Sequence, residues 1–155
     1  MKIVIFTEGT ILMHKSAVDQ THEETVQQVI NGTSSVKDYA SYVPIGEAAQ
    51  KIQTWADDNN EIIYLTSRRS QKEVNEIRKV LAENNFPAGA LEYRRENEEY
   101  KDVIERIKPD LLIEDDCESI GGEKEMTYPH LSEQFKKSIE SIVVKEFGGI
   151  DNIEI

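Results

Sequence analysis

The sequence has little of what marks secreted, membrane or nucleic-acid-binding proteins. Its one cysteine, Cys117, cannot form a disulfide within the chain. No apolar run approaches the ~20 residues of a membrane-spanning helix, and we expect the opening MKIVIF to be too short for a signal peptide. Basic residues number 18 against 30 acidic ones, a formal net charge of −12. The cysteine count and these missing segments lead us to expect a cytoplasmic protein. Because an acidic chain repels phosphate backbones and anionic lipid, we expect neither nucleic acid nor a membrane surface as a partner.

What the sequence does contain is the pattern of one globular α/β domain spanning residues 1–155. Hydrophobic residues make up 38% of the chain and charged residues 31%, a balance typical of a soluble domain of this length. Short apolar runs bounded by polar residues predict the buried strands of a parallel sheet. These runs are Ile3–Phe6, Ile62–Leu65, Ala90–Tyr93 and Leu111–Ile113.

Apolar residues between and after these strands recur at helical spacing. The pattern predicts core helices within Ile45–Ala56, Val74–Leu81, Tyr100–Ile107 and Phe135–Val143. Alternating strands and helices indicate a three-layer, doubly wound parallel sheet. Met13–Val43 interrupts the alternation and predicts a small helical, cap-like insertion after the first strand, with a stabilising flap as the simpler alternative.

The residues that follow the predicted strands carry the chemistry. Ligands of open parallel sheets bind beyond the carboxyl ends of the strands. Hydroxyls, carboxylates and cations collect there in the runs Thr7–Thr10, Thr66–Arg69 and Glu114–Asp116, and Lys101 opens the helix before the last strand. Carboxylates bind a hard divalent ion, while hydroxyls and a lysine suit a phosphate beside it.

Four segments resemble the motifs of the haloacid-dehalogenase-like (HAD-like) superfamily in their usual order. FTEGTIL resembles the first motif, where a strand ends in a nucleophilic aspartate, a spacer, a second aspartate, glycine and threonine. IIYLTSRR resembles the second, which binds phosphate, and Lys101 matches the lysine of the third. LLIEDD resembles the paired acids of the fourth, which bind magnesium. The resemblance covers roughly Met1 to Gly122.

The resemblance implies a Mg²⁺-dependent phosphomonoester hydrolase acting on a phosphorylated small molecule. The roles it implies are catalysis by Thr7, Glu8 and Lys101, phosphate binding by Thr10, Thr66, Ser67 and Lys101, and metal binding by Glu8, Asp115 and Asp116.

The first motif departs from the family pattern because it offers no aspartate. Aligned on the strand end, Thr7 takes the nucleophile position; aligned on Glu8-Gly9-Thr10, Phe6 takes it. A threonine hydroxyl without an activating base is a weak nucleophile, and phenylalanine cannot react. We therefore favour a degenerate member that binds phosphate or metal with little hydrolysis. An active, nucleotidase-like phosphatase with altered chemistry and an interaction scaffold stay open as alternatives.

Overall fold

The structure, a computed structural model, describes residues 1–32 and 34–155, without the side chains of Ser34 and Ser35. Thr33, within the predicted insertion, lies outside the described residues. Seven strands are present there: β1 (Lys2–Phe6), β2 (Leu12–His14), β3 (Tyr42–Pro44), β4 (Glu61–Leu65), β5 (Ala90–Glu92), β6 (Leu111–Asp115) and β7 (Glu140–Val144). Five of them form a parallel sheet in the order β5-β4-β1-β6-β7. The predicted α/β fold class is confirmed, and β1 lies at the centre of the sheet.

Two helical layers cover the sheet because successive side chains of each strand point to opposite faces. The helices are α1 (His22–Ile30), α2 (Ala48–Asp57), α3 (Gln71–Glu83), α4 (Tyr100–Ile107) and α5 (Glu133–Lys136). From β1, Ile3 and Ile5 pack in one apolar cluster with residues of α2 and α3. Val4 packs in the other cluster with residues of α4. None of the helices in the described residues combines the length and apolarity that a membrane crossing needs.

Side-chain caps begin α1 and α3. At the start of α3, the Ser70 hydroxyl accepts a hydrogen bond from the Glu73 amide at 3.2 Å. The cap of α1 is a full capping box: Thr21 Oγ1 accepts from the Glu24 amide, and Glu24 Oε2 accepts from the Thr21 amide. These contacts satisfy amides that have no partner inside the helix.

The segment between β1 and α2, predicted as a helical insertion, contains a pair of short strands as well as helix. Strands β2 and β3 pair antiparallel, and the described residues between them form α1 and three short 3₁₀ turns, Lys15–Ala17, Ser34–Lys37 and Tyr39–Ser41. Tyr39 and Tyr42 are buried and join the core beside α2 and α3. The segment is therefore attached to the core by its own aromatic side chains.

The prediction of a helix within Phe135–Val143 is wrong. Helix α5 ends at Lys136, and β7 adds a fifth parallel strand beside β6. The spacing of Phe135, Ile139 and Ile142 fits a helical stripe. However, the branched side chains of Ile142, Val143 and Val144 fit a strand better, because branching at Cβ restricts rotamers in a helix.

Candidate functional site

Loops that follow the parallel strands enclose a cavity of about 330 Å³ at the carboxyl edge of the sheet. Residues in or after all five parallel strands line it, and the segment before α2 covers one side with Val29, Val36, Tyr39 and Tyr42. This is the edge where the sequence predicted a ligand site. The strand-end lining residues include Phe6, Glu8, Gly9, Ser67, Arg68, Arg94, Asp115, Cys117, Ser119, Glu146 and Phe147.

Asp115 and Glu146 line one wall of the cavity and, with the neighbouring Asp116, form a group of three carboxylates that we name the acid cluster. One ligand atom from each lies within 4.8 Å of the others. Thr10 Oγ1 donates to Asp115 Oδ2 at 2.8 Å, and the Cys117 amide donates to Asp115 Oδ1 at 2.9 Å. Asp115 is thus fixed by two donors, and each of its oxygens keeps capacity for another partner.

The third member of the acid cluster comes from the turn after β7. Glu146 accepts from the Ser119 amide at 2.7 Å and from the Ser119 hydroxyl at 2.6 Å, while its own amide donates to Asp116 Oδ1 at 3.1 Å. Asp115 and Glu146 are each only 6% exposed. No lysine or arginine of the described residues forms an ion pair with the cluster.

Burial without a counter-charge changes the acidity of these groups. Burial raises the pKa of Asp115, and the neighbouring charge of Asp116 adds to the effect. Burial likewise raises the pKa of Glu146, with contributions from Asp115 and Asp116. Burial, followed by the charge of Asp115, also raises the pKa of the Cys117 thiol, which keeps it protonated and unreactive.

Gly9 lets the loop after β1 approach the acid cluster. Its φ is +83°, in the region that side chains disfavour, and a Cβ there would lie 3.0 Å from Asp115 Oδ2 and 3.3 Å from Glu146 Cγ. The Gly9 carbonyl accepts from the Phe147 amide at 2.7 Å, which ties this loop to the turn after β7. The glycine thereby preserves the narrow space between the loop and the acids.

The acid cluster fits a divalent metal ion by the chemistry of its donors. Oxygen ligands from carboxylates are those that Mg²⁺ and Ca²⁺ prefer, and a cation would offset the repulsion among three acids held so closely. The cluster contains Asp115 and Asp116, as the sequence predicted, together with Glu146, which it did not.

A second wall of the cavity, at the end of β4, surrounds the carboxylate of Glu8 with donors from Thr7, Thr66, Ser67 and Arg68; we name it the β4 cradle. Thr66 Oγ1 donates to Glu8 Oε1 at 2.6 Å, and the Ser67 amide donates to Oε2 at 3.3 Å. The Thr7 hydroxyl also donates to Glu8 Oε2, and Arg68 Nε lies 3.7 Å from Oε1. The Glu8 side chain is 13% exposed. Glu8 therefore pairs with the predicted phosphate-binding residues Thr66 and Ser67 and is not a member of the acid cluster.

The two candidates for the nucleophile position face different surroundings. Phe6 lines the cavity, as Glu8 does, and stacks edge-on against Tyr100 with ring centroids 5.0 Å apart. Thr7 is fully buried, and its hydroxyl lies within 3.3 Å of the Leu65 carbonyl. The side chain that lines the cavity at the end of β1 is thus a phenyl ring.

Two arginines lie next to the β4 cradle. Arg68 stacks on the Tyr39 ring, 4.7 Å from its centroid, and donates to the Tyr39 hydroxyl. Arg94 stacks on Tyr100 at 4.1 Å and donates from Nη2 to the Ser67 carbonyl at 3.3 Å. Arg94 Nε is buried and has no hydrogen-bond partner among the described residues. One strong donor beside the cradle is therefore unused.

Lys101 lies away from the cradle. Its ammonium group is 3.2 Å from Glu99, its side chain is 42% exposed, and it lines a second cavity of about 300 Å³. Arg94 and Tyr100 line both cavities. The role predicted for Lys101 stays a prediction, and Arg68 and Arg94 are the cations that line the main cavity.

Glu114, the first of the three consecutive acids, has a different task. It accepts from the Thr127 amide at 2.7 Å and from the Tyr128 amide at 2.8 Å, and it is 2% exposed. Since both of its oxygens bind backbone amides, it fastens the loop before α5 and stays out of the acid cluster.

Two residues that line the cavity, Glu146 and Arg94, were not predicted from the sequence. Glu146 follows a strand that was predicted as helix; assigning Glu140–Val144 to the sheet would have placed it at the ligand edge. Arg94 comes two residues after β5, a strand that was predicted, so the rule that sites collect after parallel strands could have found it.

Solved structures of similar fold include HAD-superfamily phosphatases. The class C acid phosphatase from Bacillus anthracis aligns with 96% of this chain and 67% of its own, at TM-score 0.59 and 12% identity. The same enzyme with tungstate bound aligns with 96% and 68%, at TM-score 0.56 and 12% identity. A chain of the Pnkp1/Rnl/Hen1 complex aligns with 94% and 46%, at TM-score 0.56 and 8% identity. No protein-family model and no curated protein sequence matches the chain. These structures show that this chain has the HAD-like fold.

Proposed function

We propose that the protein binds a divalent metal ion and a phosphorylated small molecule at the carboxyl edge of its sheet, without aspartyl-phosphate hydrolysis. The metal ion, Mg²⁺ by the resemblance of the strand-end motifs, is held by Asp115, Asp116 and Glu146. The anionic group of the ligand lies on the side of Arg68 and Arg94, which line the same cavity.

The observation that carries the proposal is that one cavity holds carboxylates and arginines suited to ions, while the side chain lining it at the end of β1 is the unreactive Phe6. Covalent catalysis in this fold needs a carboxylate at the end of β1 beside the metal. The side chain there that lines the cavity belongs to Phe6, while Thr7 is buried and hydrogen-bonded. The acid cluster and the arginines support binding, and the phenyl ring supports the absence of turnover.

Rebuilding the family motif tests the proposal most directly. The double variant Phe6→Asp with Glu8→Asp converts FTEGT into DTDGT, the pattern of the active superfamily members that the first segment resembles. We expect no phosphate release by the wild-type protein from a panel of small phosphomonoesters with Mg²⁺, and measurable Mg²⁺-dependent release by the rebuilt variant. Phosphate would be measured under identical conditions for both proteins.

Two matched variants complete the test. Phe6→Asn with Glu8→Asp has nearly the same shape but no carboxylate nucleophile, and we expect it to be inactive. Thr7→Asp, which follows the other alignment, places an acid at a buried position, and we expect neither activity nor a stable fold. Wild-type turnover that disappears in Asp115→Asn would contradict the proposal and establish the alternative, an active phosphatase with altered chemistry.

A further inference from the structure

We infer that the carboxylate of Glu8 occupies, in the resting protein, the donors of the β4 cradle that the family resemblance assigns to phosphate. An oxyanion then enters only when Glu8 leaves. The inference rests on the proposed function for the identity of the ligand, a phosphorylated molecule, and adds how its binding is controlled.

Polar groups at the end of β4 converge on the Glu8 carboxylate. The Thr66 hydroxyl and the Ser67 amide donate to it at 2.6 and 3.3 Å, and the Arg68 guanidinium, which donates to the Ser67 hydroxyl, lies 3.7 Å from it. A hydroxyl, a backbone amide and a guanidinium are the groups that hold phosphate oxygens in proteins. Because Thr66 is fully buried, this donor is not available to bulk water.

The Glu8 carboxylate does not satisfy all of the hydrogen-bond donors around it. Good N–H···O hydrogen bonds have their nitrogen and oxygen about 2.9 Å apart, so the contacts of Ser67 and Arg68 with Glu8 are long. The neighbouring Arg94 Nε has no partner among the described residues. A tetrahedral anion presents more oxygens than the two of a carboxylate and can engage more of these donors.

Electrostatic repulsion makes a bound phosphate and the Glu8 carboxylate competitors for the same donors. A phosphate placed against Thr66 and Ser67 would contact the Glu8 carboxylate if that side chain stayed in place. Two like charges at contact distance disfavour each other strongly. Glu8 also has room to leave, because its side chain lines the cavity.

The experiment measures the binding of inorganic phosphate by calorimetry, without metal and at constant ionic strength. The proteins are the wild type, Glu8→Ala, Glu8→Gln and the double variant Glu8→Ala with Thr66→Val. Glu83→Ala is the matched control, since Glu83 is an exposed glutamate on α3 that forms its ion pair with Lys79. Far-ultraviolet circular dichroism establishes that each variant is folded.

We expect Glu8→Ala to bind phosphate about tenfold more tightly than the wild type, the equivalent of ~1.4 kcal/mol. Glu8→Gln keeps the shape but removes the charge, and we expect a smaller gain of about threefold. Glu83→Ala should match the wild type, and Thr66→Val should reverse most of the gain. If Glu8→Ala fails to fold, Glu8→Gln carries the test.

Equal phosphate affinity in the wild type and both Glu8 variants would overturn the inference, as would a gain that Thr66→Val leaves untouched. The absence of phosphate binding in every folded protein would also overturn it. These outcomes are separate from those for the proposed function, which depend on turnover by the rebuilt variant and on metal binding at Asp115.

Discussion

The two walls of the cavity both bury carboxylate charge, but within the described part of the chain only one of them offsets it with a cation. In the β4 cradle, one carboxylate is surrounded by two hydroxyls, an amide and a guanidinium. In the acid cluster, three carboxylates share neutral donors from Thr10, Cys117 and Ser119, and no cation of the described residues pairs with them. The cradle is neutralised from within the chain, whereas the cluster needs a charge from outside.

This difference indicates which wall accepts an ion without rearrangement. The cluster gains a partner when a cation binds, and its buried acids are relieved of mutual repulsion. An oxyanion can bind in the cradle only after the Glu8 side chain has moved out of it. A divalent metal ion is therefore expected to bind to the resting protein, while an oxyanion has to compete for its place.

The largest expected effect concerns the metal. Asp115→Asn removes the central charge of the acid cluster, and we expect Mn²⁺, a spectroscopic substitute for Mg²⁺, to bind about 100-fold more weakly, ~2.7 kcal/mol. Electron paramagnetic resonance of free Mn²⁺ measures this. Asp19→Asn, at an exposed position, is the matched control and should bind as the wild type does. Unchanged affinity in Asp115→Asn would remove the distinction between the two walls.

The next effect concerns Gly9, the glycine that lies against the acid cluster. Gly9→Ala introduces both backbone strain and a contact with Asp115, so we expect a loss of about 2–3 kcal/mol in the free energy of unfolding. At Gly32, φ is also positive, +60°, but among the described residues no atom beyond its chain neighbours lies within 4 Å of a Cβ. Gly32→Ala should therefore cost only about 1 kcal/mol. Urea unfolding of both variants measures the difference, and equal losses would show that proximity to the acids is unimportant.

A smaller effect is expected from removing the one threonine hydroxyl that donates to a carboxylate in each wall. Thr10 donates to Asp115 and Thr66 donates to Glu8, and both threonines are fully buried. Thr10→Val and Thr66→Val should each cost about 1–2 kcal/mol, because a hydrogen bond to a charged group is lost. Only Thr10→Val should also weaken Mn²⁺ binding, by about tenfold. The same Mn²⁺ titration checks this, and an equal effect of both variants would contradict it.

The sequence was sufficient for the sheet and for most of the residues at its edge. Short apolar runs located four of the five parallel strands, since strands buried on both faces have little else in their pattern. The fifth was missed because Phe135, Ile139 and Ile142 also fit a helical spacing, and tertiary pairing with β6 decides between the two. That single error concealed Glu146.

Pairing among site residues could not be predicted from the sequence. Both Glu8 and Asp115 follow strands and look alike as candidate metal ligands, yet one lies among donors and the other among acids. Lys101 pairs with Glu99 in its own helix turn, which spacing along the chain does not reveal. Side-chain directions at strand ends depend on turns such as the one that Gly9 permits.

The smallest expected effect is the pH dependence of the metal-free protein. Burial raises the pKa of Asp115, so the folded state holds this proton at a higher pH than the unfolded state does, where the pKa is about 3.9. The free energy of unfolding therefore falls as the pH rises from the unfolded-state pKa to the raised pKa of the folded state. The destabilisation is therefore fully present above the raised pKa and is relieved as the pH falls through it. Relative to Asp115→Asn, the wild-type protein should gain stability as the pH falls without metal, and saturating Mn²⁺ should reverse the sign because it binds the ionised form. Urea unfolding of both proteins across this range, with and without Mn²⁺, measures the two slopes. A metal-free slope that is zero or positive would mean that the acid cluster is neutralised within the chain, as the β4 cradle is.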